Sequence, residues 1–460
     1  MKQLNNDIWL SYYGDDFTGS TDVMETLALN GIPTALFLQP PTSEEVKNFK
    51  LKKNIGEKTL KAFGVAGISR SLNKQEMEKE LLPVFEKISQ IPTDFFQYKV
   101  CSTLDSAPDK GNIGWATELA ERFFPSATIP IIIGAPFLNR FVVFGNLFAR
   151  IGEETYRLDR HPVMSNHPIT PMQESDIRRH LALQSDKKCQ LFDLHHFGLE
   201  EEKRNEKIDE LSHNLGDFLL FDTFDQSHLE IAGSLIFKIK QKKTQLLVGS
   251  SGINYALAKY LQNTGTIKKE DKPPKANKAA QIIVVAGSCS PITANQLNYA
   301  SEMGFKELQI DVIDLLNHPE EEISSIVEIA SQLLSENKSL TIFSAKGPKD
   351  NSIAKVNQWM IENGNDNSGK IIGEALGKIV KKLLEENGKI RVVAAGGDTS
   401  GYLARQLEIY ALETLYPIAP GAPLCVAHSH NPQFDGLEIS LKGGQNGKEN
   451  YFQAILNGQS

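Results

Sequence analysis

The chain has 460 residues and a net charge of −8, and hydrophobic and charged residues make up 40% and 23% of it. This composition is typical of globular proteins and argues against a protein that binds nucleic acid or anionic membranes through general charge attraction. No apolar run is long enough for a transmembrane helix and the start does not resemble a secretory signal, so we predict a cytoplasmic protein.

The first half of the chain alternates predicted strands and helices. A strand at residues 8–13 precedes a polar turn, an amphipathic helix and a second strand at 34–38. A helical pattern at 74–89 contains Pro83, where we expect a kink or a break. Further strands are predicted at 62–65, 95–101, 129–133, 219–221 and 246–248. This order is typical of a doubly wound parallel sheet.

Residues 266–279 read as a linker, because lysines and two adjacent prolines keep such a segment solvated and extended. After it, a helix is predicted at 371–386. The predicted strands of this half are 281–286, 308–312, 340–343 and 391–395. We therefore predict two doubly wound α/β domains, residues 1–265 and 280–460, with mainly parallel sheets and an interdomain cleft.

The turn after the first predicted strand, residues 14–20, carries two adjacent carboxylates, Asp15 and Asp16. Open α/β sheets bind their ligands at the carboxyl ends of the strands. Such a pair can accept hydrogen bonds from a polyol or take a proton from a hydroxyl nucleophile. The alternative is that the two aspartates only cap the helix that follows.

Turns rich in glycine and hydroxyl groups follow three predicted strands of the second half, at residues 287–293, 396–401 and 443–447. Glycines let the backbone approach a phosphate, hydroxyls add donors, and a helix amino terminus attracts an anion. Together the first two turns indicate a nucleotide site, although neither has a Walker A or GxGxxG pattern. Each turn alone is also compatible with a simple helix cap or loop.

A polar segment after the strand at 95–101 contains Lys99, Ser102, Thr103 and Asp105, which could bind an acidic polyol or form a solvated loop. Arg140 lies among aromatic residues, where it would face an anion such as a substrate carboxylate or form an internal salt bridge. The histidines and the four cysteines are dispersed, so we predict neither a metal centre nor a disulfide framework.

Over nearly its full length, the sequence resembles the four-carbon acid sugar kinase family. The segment at 287–293 matches the family's G-S-C-S-x-x-T pattern completely, and 14–22 is similar to its A-D-D-[LF]-T-G-A-x-D pattern. The segments that carry the resemblance are 14–22, 99–104, 134–145, 287–293, 396–401, 420–423 and 442–447. Together these motifs are specific to the family, whereas any one alone would not be.

The resemblance implies a kinase whose first domain binds a sugar acid and whose second binds ATP, with Mg²⁺ bridging the phosphates. The family phosphorylates the terminal hydroxyl of tetronates such as threonate, erythronate and 3-oxo-tetronate. Asp15 or Asp16 would accept the proton of the hydroxyl, with Asp398 as the rival base, and Lys99 and Arg140 would neutralise the substrate carboxylate. The implied nucleotide-binding residues are Ser288, Ser290, Gly396, Gly397, Asp398, Thr399, Gly443 and Gly444.

One segment departs from the family pattern. Most members read S-T-L-R-G-N, whereas here residues 105–110 form an acidic, proline-containing insertion and the expected arginine is missing. The substrate could therefore be a branched relative, such as an acid of the 3-oxo-isoapionate type. A non-catalytic sensor of sugar acids stays open as an alternative function. An oxidoreductase is a weaker alternative, because no GxGxxG motif follows a strand. The protein could also form a homodimer.

Overall fold

A computed structural model of the protein describes residues 4–52, 59–167, 169–212, 216–268, 276–363 and 368–459. The chain divides into two compact units, of which the first comprises residues 1–51 and 57–271 and the second 52–56 and 272–460. The predicted linker is described only in part, since residues 269–275 lie outside the described ranges.

The first unit alternates strands and helices along the chain. Its strands are β1 (Ile8–Gly14), β2 (Thr34–Phe37), β3 (Ala62–Ala66), β4 (Thr93–Lys99), β5 (Thr128–Ile132), β6 (Arg140–Val143), β7 (Asn146–Ile151), β8 (Glu154–Arg157), β9 (Cys189–Phe192), β10 (Asp217–Phe221) and β11 (Gln245–Gly249). Its helices are α1 (Phe17–Leu29), α2 (Ser43–Asn48), α3 (Lys74–Ser89), α4 (Ile113–Glu121), α5 (Ile177–Ala182), α6 (Leu194–Phe197), α7 (Glu201–Leu211), α8 (Gln226–Ile239) and α9 (Ser251–Asn263).

The main sheet of this unit has the strand order β2-β3-β1-β4-β11-β5-β10-β9, and each pair of neighbours is parallel. Every residue of β4 and of β11 is buried, as expected for parallel strands that helices cover on both faces. A separate antiparallel sheet of β6, β7 and β8 is an element that the sequence patterns did not predict.

Helix α3 runs through Pro83 without the predicted break. Its amino end is fixed by a capping box, in which the Asn73 side chain accepts hydrogen bonds from the backbone N–H groups of Gln75 and Glu76, and the Glu76 carboxylate accepts one from the backbone of Asn73. Buried apolar residues at helical spacing then hold the helix against the sheet, so packing overrides the local cost of the proline.

The second unit repeats the alternation. Its strands are β12 (Ile282–Ala286), β13 (Lys306–Gln309), β14 (Leu340–Phe343), β15 (Arg391–Ala395), β16 (Ile409–Ala419), β17 (Ala422–Ser429) and β18 (Glu438–Lys442). Its helices are α10 (Pro291–Glu302), α11 (Val312–Asn317), α12 (Pro319–Ser335), α13 (Asn351–Glu362), α14 (Ser368–Asn387), α15 (Gly397–Gln406) and α16 (Tyr451–Asn457).

In this unit the order β13-β14-β12-β15-β18 is parallel, and β17 and β16 extend it as antiparallel strands. The predicted strand at 308–312 is partly wrong: β13 ends at Gln309 and Val312 begins α11. The Asp311 side chain caps that helix by accepting hydrogen bonds from the backbone N–H groups of Ile313 and Asp314. The predicted α/β class with mainly parallel sheets is confirmed.

No helix in the described ranges is both long and apolar enough to cross a membrane.

Candidate functional site

The predicted substrate residues follow neighbouring strands of the first unit. Gly14, the last residue of β1, is in register with Ala66 of β3 on one side and with Lys99 of β4 on the other. The segments after these strands therefore leave the sheet at the same edge. The backbone N–H of Asp15 donates to the Lys99 carbonyl at 3.0 Å, and the turn after β4 carries the half-buried Ser102.

Arg70, in the segment after β3, binds both carboxylates of the β1 turn. Its Nε and Nη2 atoms donate to the two Asp15 oxygens at 3.1 and 2.7 Å. Its Nη1 and Nη2 atoms donate to the two Asp16 oxygens at 2.7 and 2.9 Å. The planar fork of a guanidinium suits this double contact. All four carboxylate oxygens are thus fixed in position by one side chain.

The two aspartates differ in burial and therefore in role. The Asp15 side chain is 4% exposed, whereas that of Asp16 is 29% exposed. Burial raises the pKa of Asp15 above its ordinary value and the neighbouring Asp16 charge adds to this, while Arg70 opposes the shift. Asp16 also caps α1 by accepting the Gly19 N–H at 2.8 Å. The capping role proposed as the alternative is therefore real for Asp16, and it leaves part of that carboxylate accessible.

The polar residues after β4 extend this cluster. The Lys99 side chain is 2% exposed, and its Nζ atom lies 3.8 Å from a carboxylate oxygen of Asp22. Thr103 donates its hydroxyl to Asp105 at 2.7 Å, and the other oxygen of Asp105 lies 3.9 Å from Nη1 of Arg70. Side chains from three strand ends thus form one network of alternating charge.

Arg140 begins β6 and has unused donor capacity. Its Nη1 atom donates to the carbonyl oxygens of Leu138 and Asn139, both at 3.1 Å. Its Nε atom is buried and has no hydrogen-bond partner within the described ranges. Burial lowers the pKa of Arg140, while the charge of Asp105 acts in the opposite direction. The Arg140 guanidinium is therefore close enough to Asp105 to feel its charge, and its Nε–H can still donate a hydrogen bond to an anion.

The insertion at residues 105–110 is anchored by a buried polar network. Ser106 and His180 share a hydrogen bond of 2.8 Å, and the Gln184 side-chain amide donates to Ser106 at 3.0 Å. Burial lowers the pKa of His180 to about 4, so its ring is neutral at physiological pH. At the end of the insertion, the Gly111 N–H donates to the Leu72 carbonyl at 2.9 Å. The insertion is therefore held by hydrogen bonds at its two ends, while Pro108 and Asp109 in its middle are exposed.

In the second unit the predicted nucleotide residues also follow adjacent strands. Ala395, which ends β15, is in register with Ala286 of β12 on one side and with Lys442 of β18 on the other. The Gly396 N–H then donates to the Lys442 carbonyl at 2.9 Å. The three turns rich in glycine and hydroxyls consequently leave one edge of the sheet together.

Direct contacts join two of these turns. The hydroxyls of Ser290 and Thr293 donate to the Gly444 carbonyl at 2.5 and 2.9 Å, and Ser290 also caps α10 by accepting the Thr293 N–H at 3.0 Å. A side chain at Gly444 would place its Cβ 2.3 Å from the Ser288 hydroxyl. Gly444 therefore lets the last turn lie directly against the first.

The turn after β15 offers an open helix amino terminus. Gly396 has φ +123°, a conformation that favours glycine, and α15 begins at the next residue. A Cβ placed on Gly397 would meet nothing within 4 Å, so space lies in front of the first turn of the helix. Thr399 is buried and Asp398 is exposed. No side chain in the described ranges caps α15, and the first N–H groups of a helix without such a cap suit a phosphate.

Sequence reasoning missed Arg70 and Asp22 as members of the first cluster. Arg70 could have been found by the rule that identified the other residues, because it follows β3 at the same sheet edge, whereas Asp22 lies within α1. The pattern at 69–71 is short and lacks glycine, so it did not stand out as a turn.

Comparison with known proteins connects this geometry with a family. Residues 10–257 match a family described as a sugar-binding N-terminal domain, and residues 283–452 match a nucleotide-binding C-terminal domain. The chain belongs to the four-carbon acid sugar kinase family. The resemblance seen in the motifs is thereby confirmed, and this kinase has its sugar-binding and nucleotide-binding sequences in the order that the resemblance implied.

Several curated kinases are similar to this family member over nearly their whole length. The 3-oxo-isoapionate kinase of Paraburkholderia graminis is 38% identical, with 98% of this chain and 94% of that protein covered. The 3-oxo-tetronate kinase of Pectobacterium atrosepticum is 28% identical, with 97% of this chain and 98% of that protein covered. The 3-oxo-tetronate kinase of Salmonella typhimurium is 26% identical, with 95% of this chain and 96% of that protein covered. The prediction of a sugar acid kinase is confirmed.

Solved structures share the fold of this kinase. A crystal structure from Salmonella typhimurium has a TM-score of 0.76 at 23% identity, and one from Haemophilus influenzae has 0.71 at 24%. Each comparison covers 97% of this chain and 98% of the other.

The contact between Arg70 and the two aspartates predicts a large, pH-dependent loss of stability when the arginine is removed. We expect Arg70→Met to lower the free energy of unfolding by about 3–5 kcal/mol at pH 8, because it leaves a buried carboxylate unpaired. The folded-state pKa of Asp15 then rises further above its unfolded value. The cost is therefore fully present at high pH and shrinks toward pH 5, where the carboxyl can bind a proton.

Urea denaturation at both pH values measures this loss. Arg122→Met is the matched control, since Arg122 forms an exposed pair with Glu78 at 3.5 Å and should cost less than about 1 kcal/mol. A loss for Arg70→Met as small as that of the control would show that the double contact contributes little.

Proposed function

We propose that this kinase transfers the γ-phosphoryl group of ATP to the terminal hydroxyl of a branched 3-oxo sugar acid of the 3-oxo-isoapionate type. The observation that carries the proposal is the 38% identity to a 3-oxo-isoapionate kinase, compared with 25–28% to 3-oxo-tetronate kinases. Unbranched acids such as 3-oxo-tetronate, threonate and erythronate are then the weaker substrates.

The carboxylate of the acid binds to Arg140, with Lys99 close to the same charge network. The buried and unpartnered Nε atom of Arg140 supports this assignment, because a guanidinium donates two parallel hydrogen bonds to a carboxylate. Lys99 is buried as well and is held only loosely to Asp22 at 3.8 Å, so its ammonium retains donors for the substrate.

Asp16 accepts the proton of the attacking hydroxyl, and Asp15 positions the Arg70 fork that holds Asp16 in place. The greater exposure of Asp16 supports this division of roles, since a base must reach the hydroxyl that it deprotonates. The rival Asp398 is exposed in the nucleotide turn, where a carboxylate would meet phosphate before it met the sugar acid.

The ordered insertion at residues 105–110 gives the acid-binding site its specificity for a branched substrate. Asp105 accepts from Thr103 through one oxygen, and its other oxygen lies 3.9 Å from Arg70. That carboxylate can accept a hydrogen bond from a hydroxyl on the branch. Although the arginine usual for the family is absent from this segment, Arg70 places a guanidinium against it.

Phosphoryl transfer depends mainly on positioning and on neutralising the charge of the phosphates. The Gly397 N–H and the hydroxyls of Ser288 and Thr399 would bind the phosphate chain, and Gly443 and Gly444 add no side chain there. Mg²⁺ normally binds through one or two carboxylates together with substrate phosphates. Asp398, an exposed acid in the first turn of α15, fits this need, and Mg²⁺ would there neutralise developing charge on the phosphates.

The proposed base predicts that Asp16→Asn abolishes turnover but leaves the fold and nucleotide binding intact. Asparagine caps a helix as well as aspartate does, so α1 should still form. We expect kcat to fall by about 100-fold or more, with the affinity for ATP unchanged. Asp398→Asn serves as the comparison in steady-state kinetics. A loss within about tenfold for Asp16→Asn, with a larger loss for Asp398→Asn, would reverse the assignment of the base.

The proposed substrate predicts an order of activities across a panel of acids. Mass spectrometry of the products should show ATP-dependent phosphorylation of 3-oxo-isoapionate with a kcat/KM at least about tenfold above those of 3-oxo-tetronate, threonate and erythronate, because each lost polar contact costs about that factor. Equal rates on the unbranched 3-oxo acids would contradict the specificity. Absence of any phosphorylated product across the panel would contradict the proposed function itself.

A further inference from the structure

One lysine beside the proposed phosphate site is buried without a counter-ion. Lys442 ends β18, its carbonyl accepts the Gly396 N–H at 2.9 Å, and Gly443 and Gly444 follow it directly. Its side chain is 1% exposed, and its Nζ atom has no hydrogen-bond partner within the described ranges. Those ranges also contain no carboxylate in an ion pair with it. A buried charge without a partner is expensive, so such a site calls for a ligand.

The strand register shows on which face of the sheet this ammonium lies. Lys442 is in register with Ala395 on the neighbouring parallel strand, so both side chains point to the same face. Ala395 packs there in an apolar cluster with Leu297 of α10 and Tyr451 of α16. The Nζ atom lies 5.7 Å from the centroid of the Tyr451 ring. Lys442 is therefore on the face that carries α10, whose first turn binds the Gly444 carbonyl.

The partner shown for the Lys442 ammonium is the aromatic ring of Tyr451, which binds a cation only weakly. Among the described residues, the titratable group that faces it is Tyr451, whose hydroxyl is already hydrogen-bonded to the Ser440 hydroxyl at 2.6 Å and to the Ala422 carbonyl at 2.9 Å. The face of an aromatic ring attracts a cation, but far less strongly than an anion does. Burial lowers the pKa of Lys442 to about 8, as expected for a charge that lacks a counter-ion.

We infer that Lys442 is a phosphate-binding residue of this kinase, whose ammonium pairs with the phosphate chain of the bound nucleotide. The inference rests on the proposed function and deepens it by supplying the cation that the glycine and hydroxyl turns do not. The flexible lysine side chain can rotate toward the turn that follows it, where Gly443 and Gly444 carry no side chain. In the bound complex the phosphates compensate the buried charge, which favours triphosphate over the nucleoside alone.

Lys442→Met tests the inference, because methionine keeps most of the volume and removes the charge. We expect the affinity for ATP, measured by isothermal titration calorimetry, to fall about 10- to 100-fold, while adenosine binding stays within about twofold. In the absence of nucleotide the variant should melt at the same or a higher temperature, since it no longer buries an unpaired charge. Lys338→Met is the control, as Lys338 is exposed just before β14 at the opposite edge of the same sheet.

Proton uptake gives a second readout. Pairing with phosphate raises the pKa of Lys442, so ATP binding near pH 8 should take up as much as about half a proton, and the affinity should fall as the pH rises above 8. Calorimetry in buffers of different ionisation enthalpy measures this uptake, which should disappear in Lys442→Met and persist in Lys338→Met.

The possible results distinguish a failure of the Lys442 inference from a failure of the proposed function. If the parent protein binds ATP and Lys442→Met binds it equally well with unchanged proton uptake, Lys442 has no part in phosphate binding and only the inference is overturned. A lower melting temperature with unchanged ATP affinity would assign the lysine a structural role against Tyr451. If the parent protein itself does not bind ATP, both the inference and the proposed function are wrong.

Discussion

The half of this kinase that matches the sugar-binding domain depends on one guanidinium that holds two adjacent carboxylates. The Asp15 carboxylate is buried beside the Asp16 carboxylate, and a buried charge of this kind is costly unless a cation lies close to it. Arg70 supplies that cation and contacts all four carboxylate oxygens. The contact fixes the turn after β1 against the segment after β3, so that the more exposed carboxylate faces outward in a set orientation.

The two halves use the same sheet geometry for opposite kinds of ligand site. In each, neighbouring parallel strands end in register and their following turns meet at one edge. The first half fills that edge with charged side chains that pair with one another. The second half lines that edge with glycines and hydroxyl side chains, which suit an anion. Lys442 adds a buried cation directly before two of those glycines, Gly443 and Gly444.

The sequence predicted the strand ends well and the contacts between them poorly. Continuous apolar runs located β1, β12 and β15 closely, since buried parallel strands have few other patterns. Arg70 is 55 positions from Asp15 and 54 positions from Asp16 in the sequence, so no local pattern could predict that they pair. The predicted strand at 308–312 is too long because apolar residues continue from β13 into α11. The Asp311 cap is the local signal that a helix begins there. The unpaired state of Lys442 likewise depends on what packs around it in space.

The central claim is that the turns at 287–293, 396–401 and 443–447 together bind the phosphates of ATP. A crystal structure of the kinase with a non-hydrolysable ATP analogue tests this most directly. We expect phosphate oxygens within hydrogen-bonding distance of the Gly397 N–H and the Ser288 hydroxyl. Nucleotide density at any other edge of the second unit, with the amino terminus of α15 uncontacted, would contradict it.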